Sequence, residues 1–234
     1  MSINKKGRRQ KVEGRRGKQK RTTGVIYTII IILFCMDFVY AFTSLEVIKN
    51  VKDKFRNAKT IHTDFKQVIY NTSLKNKQII YGIVKIKKPD KLLMTYEKPE
   101  NLRQKIIINN SIFWLYLESA NQLIKRKDAD SEKEVEKQIF PWMEEIDNYN
   151  IIVLNNKNKY IELEITPKNT KYEKFNKLIV HVNPENWAVI YTYMLDISNN
   201  TVEFYFRDIK FNQNLENKEF DFIPPKDVEI LENE

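Results

Sequence analysis

An alternation of apolar and polar residues recurs from Thr60 to Phe211, and it is the feature that most restricts the fold. The densest part runs from Ile79 to Tyr116, where extended segments follow one another with only short turns between them. Several of these segments are apolar at both alternating positions, which is typical of strands that are covered on both faces. Hairpin-like units without intervening helices predict an antiparallel meander.

Turn residues punctuate the alternation. Pro89 ends one strand because proline cannot donate a hydrogen bond to a ladder. The pair Asn109–Asn110 tolerates the left-handed conformation that a tight hairpin turn requires. With the segments up to Phe211 included, the pattern predicts about eleven strands, enough to roll into a barrel or half-barrel. The predicted fold class is α+β, with an incomplete, half-open antiparallel β-barrel at its centre.

An N-terminal helix precedes the strands. Thr43 and Glu46 have the spacing of a capping box, in which each residue hydrogen-bonds the backbone of the other. An apolar stripe at spacings of three and four follows and predicts a helix of about 13 residues with one face on the sheet. The stripe consists of Leu45, Ile48, Val51 and Phe55.

A second helical pattern interrupts the sheet at about residues 127–149. Ser131 and Glu134 form another candidate capping box, and Pro141 should divide the segment into two short helices. Insertions of this kind are commonly lids, so we interpret this one as a helical lid over the barrel mouth. Its predicted inward-facing residues are Val135, Ile139, Trp142 and Met143.

The first 41 residues predict a cleavable signal peptide. They hold ten of the 40 Lys and Arg and two of the 31 Asp and Glu. All ten basic residues precede an apolar core of 13 residues, from Gly24 to Met36. A membrane-spanning helix needs about 20 apolar residues. Val39 and Ala41 suit cleavage after Ala41, which leaves residues 42–234 as a single domain. The alternative is an uncleaved inner-membrane anchor, for which Asp37 is a costly residue.

Composition argues against several kinds of function. Cys35 is the only cysteine, and the two histidines, His62 and His181, are far apart in the sequence, so we expect no disulfide, metal site or cofactor. Phosphate-binding, dinucleotide-binding and hydrolase motifs are absent, so we do not expect an enzyme. Beyond residue 41 the chain holds 30 basic and 29 acidic residues, which argues against nucleic-acid binding.

The large number of aromatic residues is the remaining feature of the composition. The chain holds 13 Phe, 12 Tyr and three Trp, and most of them belong to an ordinary core. A barrel of this strand number encloses more space than its side chains need to fill, however, and a lid would cover the mouth. The pattern therefore predicts an apolar cavity for an acyl chain.

Short motifs spread over the chain carry a family resemblance. The chain resembles the LolA family of periplasmic outer-membrane lipoprotein carriers. The matching motifs, in order, are Phe65-Lys66-Gln67, Gly82 followed by Lys87-Lys88-Pro89, Tyr96-Glu97-Lys98-Pro99, Trp114-Leu115-Tyr116, and Phe220 to Val228, which is similar to the family's terminal F-x-F-x-P-P-x-x-V.

The resemblance implies a monomeric carrier in the periplasm whose concave apolar face is closed by helices. Such a carrier takes acylated lipoproteins from an inner-membrane ABC-type lipoprotein-releasing complex and passes them to an outer-membrane lipoprotein receptor. The family's lid latch is an arginine, and Lys88 stands at the matching position, with the charge but without the planar fork of donors. We expect the acyl-chain cavity to be lined by Leu92, Met94, Tyr96, Trp114 and Tyr116.

Other functions remain open at this level. A periplasmic regulator of the same fold that senses mislocalised lipoproteins is one. An inner-membrane-anchored lipid-binding protein is another, if the signal peptide is retained. An enzyme that acts on lipid in the cavity is a third, although no catalytic constellation accompanies it.

Overall fold

The computed structural model describes residues 42–127, 146–157, 159–169 and 175–232. The predicted signal peptide, residues 1–41, lies outside these ranges, as do Val135, Ile139, Trp142 and Met143 of the predicted lid. Besides four short 3-10 helices, the described elements are one α-helix and twelve strands: α1 Ser44–Asn57, β1 Thr60–Asn71, β2 Asn76–Lys87, β3 Lys91–Lys98, β4 Gln104–Asn109, β5 Ile112–Leu117, β6 Gln122–Arg126, β7 Tyr149–Lys157, β8 Tyr160–Pro167, β9 Phe175–Val182, β10 Val189–Asp196, β11 Thr201–Phe211 and β12 Glu229–Glu232.

All twelve strands belong to one open sheet in the order β12-β6-β5-β4-β3-β2-β1-β11-β10-β9-β8-β7. Every neighbouring pair is antiparallel except β12 and β6, which are parallel. The predicted half-open antiparallel sheet with an N-terminal helix is confirmed. The additional strand is β12, four residues long and too short for its alternation to be recognised in the sequence.

Register assigns each residue to one of two faces, because residues that are paired across antiparallel strands point to the same side. Phe65 pairs with Gly82 on β2 and with Phe206 on β11, and these residues define what we call the inner face. Lys66 pairs with Tyr81 and Tyr205, and these define the outer face. Both faces of β3 to β5 carry apolar residues, as the sequence predicts.

Helix α1 packs on the inner face. The predicted capping box is present: the Thr43 hydroxyl accepts from the Glu46 amide at 3.3 Å, and the Glu46 carboxylate accepts from the Thr43 amide at 2.9 Å. The buried side chains of α1 are Val47, Ile48, Val51 and Phe55. Leu45, predicted to belong to this stripe, is 71% exposed because it projects outside the arc of the helix that holds the four buried side chains, and Val47 is buried instead.

Helix α1 bridges two apolar clusters. Val47, Ile48 and Val51 pack with buried residues of β8 and β9, whereas Phe55 packs with the inner face of β1 to β5. The helix therefore covers the inner face from one half of the sheet to the other.

The β4–β5 hairpin turns one residue later than predicted. Asn109 pairs with Ile112, so Asn110 and Ser111 are the two loop residues, with φ of 50° and 62°. Two central residues with positive φ are what a tight two-residue hairpin requires. The prediction of a left-handed turn here was correct, but its position was wrong by one residue.

Candidate functional site

An apolar pocket of about 80 Å³ lies between α1 and the inner face of the sheet. Helix α1 contributes Val51, Lys54 and Phe55. The remaining lining residues come from β1 to β3 and from the segment 187–211: Ile61, Thr63, Val84, Ile86, Met94, Trp187, Ala188, Val189, Thr192, Phe204, Phe206, Ile209 and Phe211.

The pocket offers little polar chemistry. Its one ionisable residue among the described lining is Lys54, whose ammonium lies 4.2 Å from the centre of the Phe211 ring. The Thr63 hydroxyl is already engaged, at 2.8 Å from the carbonyl oxygen of Arg207 and 3.0 Å from that of Asp64. A site with this lining can hold apolar chains by burial, but it brings no acid, base or nucleophile to bear on them.

Three of the predicted cavity residues lie together on the inner face of β3. Leu92 is fully buried in the core, and Met94 lines the pocket. Tyr96 is buried beside Met94, with its hydroxyl 3.6 Å from the Met94 sulfur and its ring 5.2 Å from that of Phe65. Burial disfavours the charged phenolate and raises the pKa of Tyr96 to about 12, so this side chain is neutral at physiological pH.

Trp114 and Tyr116 lie on the opposite face from these three residues. Trp114 pairs with Ile107 on β4, which in turn pairs with Leu93, and this register places Trp114 and Tyr116 on the outer face. Both rings pack against Phe222, at centroid distances of 6.0 Å and 5.7 Å. The structure therefore divides the predicted cavity wall between two faces, and these two residues do not line the pocket.

The C-terminal segment covers the outer face at this position. Phe220 is fully buried, and the short 3-10 helix that contains it, Asn217–Phe220, packs against β3 and β4. The Asn109 amide donates to the Phe220 carbonyl at 3.3 Å, and the Lys87 ammonium donates to the Leu215 carbonyl at 2.8 Å. This explains the terminal F-x-F-x-P-P motif as a structural element, a role that the sequence did not reveal.

One ion pair also ties this segment to the sheet. The Lys85 ammonium lies 2.7 Å from the Glu219 carboxylate. Its hydrogen bond, together with that from the Glu216 backbone amide, lowers the pKa of Glu219. Lys85 therefore lies on the outer face, away from the pocket.

Lys88, the predicted latch, contacts α1. Its ammonium donates to the carbonyl oxygen of Phe55 at 2.8 Å and lies 4.1 Å from the centre of the Phe55 ring. Carbonyls in the last turn of a helix lack intrahelical partners, and the helix dipole favours a cation there. The sequence analysis predicted that Lys88 contacts the lid, but the lid residues lie outside the described residues. The contact that the structure shows is with the N-terminal helix.

A row of aromatic and charged side chains crosses the outer face of β8 to β11. Tyr160 stacks on His181 at 4.1 Å, and Tyr191 follows at 4.6 Å from His181 and 4.9 Å from Tyr205. Glu203 accepts hydrogen bonds from the hydroxyls of Tyr191 and Tyr205. Burial, with this hydrogen bond, raises the pKa of Tyr191, and the hydrogen bond, with burial, raises the pKa of Tyr205. This row was missed in the sequence because its members are adjacent only through strand pairing.

Within the described ranges no cluster of three or more His, Cys, Asp or Glu side chains is placed to hold a metal ion. Among the helices of the same ranges, none combines the length and the apolar character of a membrane span.

Comparison with known families gives one match that covers most of the chain. The model of the family described as "Outer membrane lipoprotein carrier protein LolA" matches residues 56–223. The match begins in the last turn of α1 and ends within the C-terminal segment that covers the outer face.

Individual relatives carry the same description. An outer-membrane lipoprotein carrier protein of Francisella tularensis subsp. novicida (strain U112) is 23% identical over 210 residues, which cover 86% of this chain and 96% of the relative. One from Nitrosospira multiformis is 24% identical over 185 residues, covering 79% of this chain and 87% of the relative.

Solved structures share the fold at low sequence identity. An uncharacterized conserved protein from Thermus thermophilus aligns with a TM-score of 0.55 and 12% identity, covering 81% of this chain and 98% of the other. MucB in the Pseudomonas aeruginosa MucA/MucB complex aligns with a TM-score of 0.50 and 10% identity, covering 76% and 60%.

Proposed function

Because the chain belongs to the LolA family of outer membrane lipoprotein carrier proteins, we propose that it binds the acyl chains of lipoproteins released from the inner membrane and delivers them to the outer membrane. The observation that carries the proposal is the apolar pocket between α1 and the inner face, with Met94 in its wall. Burial of acyl chains there replaces their contact with water, at about 0.8 kcal/mol per methylene.

The pocket in this closed form is too small for an acyl chain. An apolar cavity of roughly 150 Å³ holds a benzene ring, whereas the pocket here measures about 80 Å³. An acyl chain of about 15 methylenes would gain on the order of 12 kcal/mol by burial. Helix α1 must therefore shift from the inner face to admit it, and the chain replaces the contacts that Val51 and Phe55 make with the sheet.

Lys88 is proposed to hold α1 in the closed position. Its hydrogen bond to the Phe55 carbonyl is charge-assisted, and such bonds contribute about 1.5–3 kcal/mol. The bond joins α1, which must move to admit an acyl chain, to the turn after β2, which can stay in place. It therefore breaks when α1 moves, and it stabilises the closed state alone. The closed state is then stable enough to return after release, yet weak enough to be displaced by cargo.

Replacing Lys88 with methionine is expected to strengthen acyl-chain binding about tenfold and to slow transfer to an acceptor by a similar factor. Loss of about 1.5 kcal/mol, the lower end of that range, from the closed state alone shifts the binding equilibrium by about that factor. The measurements are the Kd for a fluorescent acylated peptide and its transfer rate to acceptor vesicles.

Lys87→Met is the matched control for this change. Lys87 is the neighbouring lysine, but its ammonium bonds the Leu215 carbonyl on the outer face, so binding and transfer should not change. Lys88→Arg should retain the latch, because a guanidinium can donate to the same carbonyl. If Lys88→Met bound and released the peptide like the unaltered chain, the latch would have to lie elsewhere.

Family membership also supports a proposal for where the protein acts and for the partners between which it carries lipoproteins. The signal peptide, residues 1–41, is removed on export, and residues 42–234 act as a monomer in the periplasm. Cargo comes from an inner-membrane ABC-type lipoprotein-releasing complex and passes to an outer-membrane lipoprotein receptor. The helical lid at about residues 127–149 remains a prediction, because most of these residues lie outside the described ranges.

The test is to purify the exported chain from the periplasmic fraction, sequence its N-terminus and identify bound molecules by mass spectrometry. A mature chain that begins near Phe42 and carries acylated lipoproteins is the expected result. A chain retained in the membrane, or one that hydrolyses lipid and carries no lipoprotein, would overturn the carrier proposal.

A regulator of the same fold is the second candidate. The fold is shared with MucB, whose complex with MucA has been solved, so a protein partner is the discriminating observation. Purification of a stable complex with one protein partner, in place of a mixture of lipoproteins, would favour the regulator.

A further inference from the structure

Strands β10 and β11 separate before either of them ends. They pair from Tyr191 with Tyr205 to Leu195 with Thr201. Beyond Tyr205, β11 continues to Phe211 in pairing with β1, and β10 begins at Val189 in pairing with β9. Over the described residues, the sheet therefore contains a gap between Trp187–Ile190 on one side and Phe206–Phe211 on the other.

Both strands carry an extra residue at the gap. On β10, Val189 and Tyr191 pair with adjacent residues of β9, which leaves Ile190 as a bulge. On β11, two steps along β1 from His62 to Asp64 correspond to three steps from Lys210 to Arg207. Bulges bend a strand and end its pairing on one side, so two of them facing each other across the gap keep it open.

Backbone conformation marks the same place. Trp187 and Asp208, one on each side of the gap, have φ of 60° and 50°. A bulky residue such as Trp187 adopts this left-handed region only when the surrounding structure holds it there. Residues held in this way are concentrated at functional sites.

The side of the pocket formed by β10 and β11 is its more exposed side. Every lining residue contributed by α1 and β1 to β3 is buried except Lys54. The partly exposed lining residues other than Lys54 all belong to the segment from 187 to 211: Trp187, Thr192, Phe204, Phe206, Ile209 and Phe211. The pocket lining is therefore more exposed on its β10 and β11 side than on the side of α1 and β1 to β3.

A cleft on the outer face meets the gap from the other side. It is lined in part by Ile190, Arg207 and the tyrosines of the aromatic row, and Phe206 lines both this cleft and the pocket. Phe206 pairs with Phe65, so its side chain lies on the inner face, and its position next to the exposed Arg207 marks where the apolar pocket comes closest to the more polar surface.

We propose that acyl chains enter and leave the pocket through the gap between β10 and β11, past Phe206. This inference rests on the proposed function and specifies its route. Elsewhere in the sheet a passing chain would have to break ladder hydrogen bonds, each costly to leave unmade, whereas at the gap the two strands are already unpaired. Side chains move aside there, and the shift of α1 makes room for the chain behind them. The carbonyl groups at the head of the acylated cysteine then lie in the outer cleft, where Arg207 can donate to them.

A reversible cross-link across the gap tests the route. The chain beyond residue 41 has no cysteine, so Ile190→Cys with Arg207→Cys creates a unique pair at the outer side of the gap. Bridging the pair with a short bis-methanethiosulfonate reagent should slow uptake of a fluorescent acylated peptide by tenfold or more, and reduction should restore it.

Leu195→Cys with Thr201→Cys is the matched control. These residues are directly opposite on the same two strands where the strands are already paired, so the same cross-link should leave uptake unchanged. As an independent test, Phe206→Ala should accelerate uptake, because it removes the bulky side chain at the inner end of the gap.

The outcomes separate the route from the function. Normal uptake by the chain cross-linked across the gap, with no acceleration in Phe206→Ala, would overturn the route and leave the carrier function standing. Failure of the unaltered chain to bind acylated peptide would overturn both.

Discussion

Replacing Gly82 with alanine is expected to lower the free energy of unfolding by about 3 kcal/mol, at the upper end of the range for overpacking a core. A Cβ atom at this position would lie 2.0 Å from the Thr95 carbonyl oxygen and 2.6 Å from the Phe65 ring. The ring could rotate, but the carbonyl belongs to the backbone of the neighbouring strand β3. Urea denaturation of the two proteins measures the loss.

Gly82 is buried and lies in the middle of the inner face, where Phe65 and Tyr96 pair with it from the two neighbouring strands. Their rings are 5.2 Å apart and occupy the space that a side chain would need. Combining Gly82→Ala with Phe65→Leu should therefore cost less than the sum of the two single changes. A loss below about 0.5 kcal/mol for Gly82→Ala would show that the sheet can yield here, contrary to this account.

Phe220→Ala is expected to destabilise the protein by about 3–5 kcal/mol, the range for removing a fully buried aromatic side chain. The side chain has no exposed surface, and the segment around it joins the sheet through the Asn109 amide and the Lys85–Glu219 ion pair. Loss of this anchor should also free the C-terminal segment, so that trypsin cleaves after Lys218 or Lys226 faster than in the unaltered chain.

Ile223→Ala is the control for Phe220→Ala. Ile223 lies three residues further along the same segment and is 88% exposed, so its replacement should change stability by less than about 0.5 kcal/mol. Equal losses for the two variants would contradict the assignment of Phe220 as the buried anchor of the C-terminal segment.

The apolar character of both faces of β3 to β5 has two separate causes. On the inner face, Met94 and its neighbours contact α1 and the pocket. On the outer face, Trp114 and Tyr116 pack with Phe222 of the C-terminal segment. The sequence pattern correctly indicated that both faces are covered. It did not show which residues pack against α1 and which pack against the C-terminal segment.

Local patterns were sufficient for much of the architecture. Alternation located β1 to β11 to within a few residues, the spacing of Thr43 and Glu46 identified the start of α1, and the ordered motifs identified the family. Each of these signals depends on residues that are close in sequence, where the geometry of a strand or a helical turn is already known.

Relations between distant residues had to come from the tertiary structure. Alternation shows that Trp114 and Met94 each lie on one face of a strand, but only the register through β4 shows that these faces are opposite. The contact of Lys88 with Phe55 and the separation of β10 from β11 likewise join or divide segments that are remote in the chain. Alternation with a period of two shows on which side of its own strand a residue lies. It does not show which strands pair or in which register, because these depend on packing across the whole sheet.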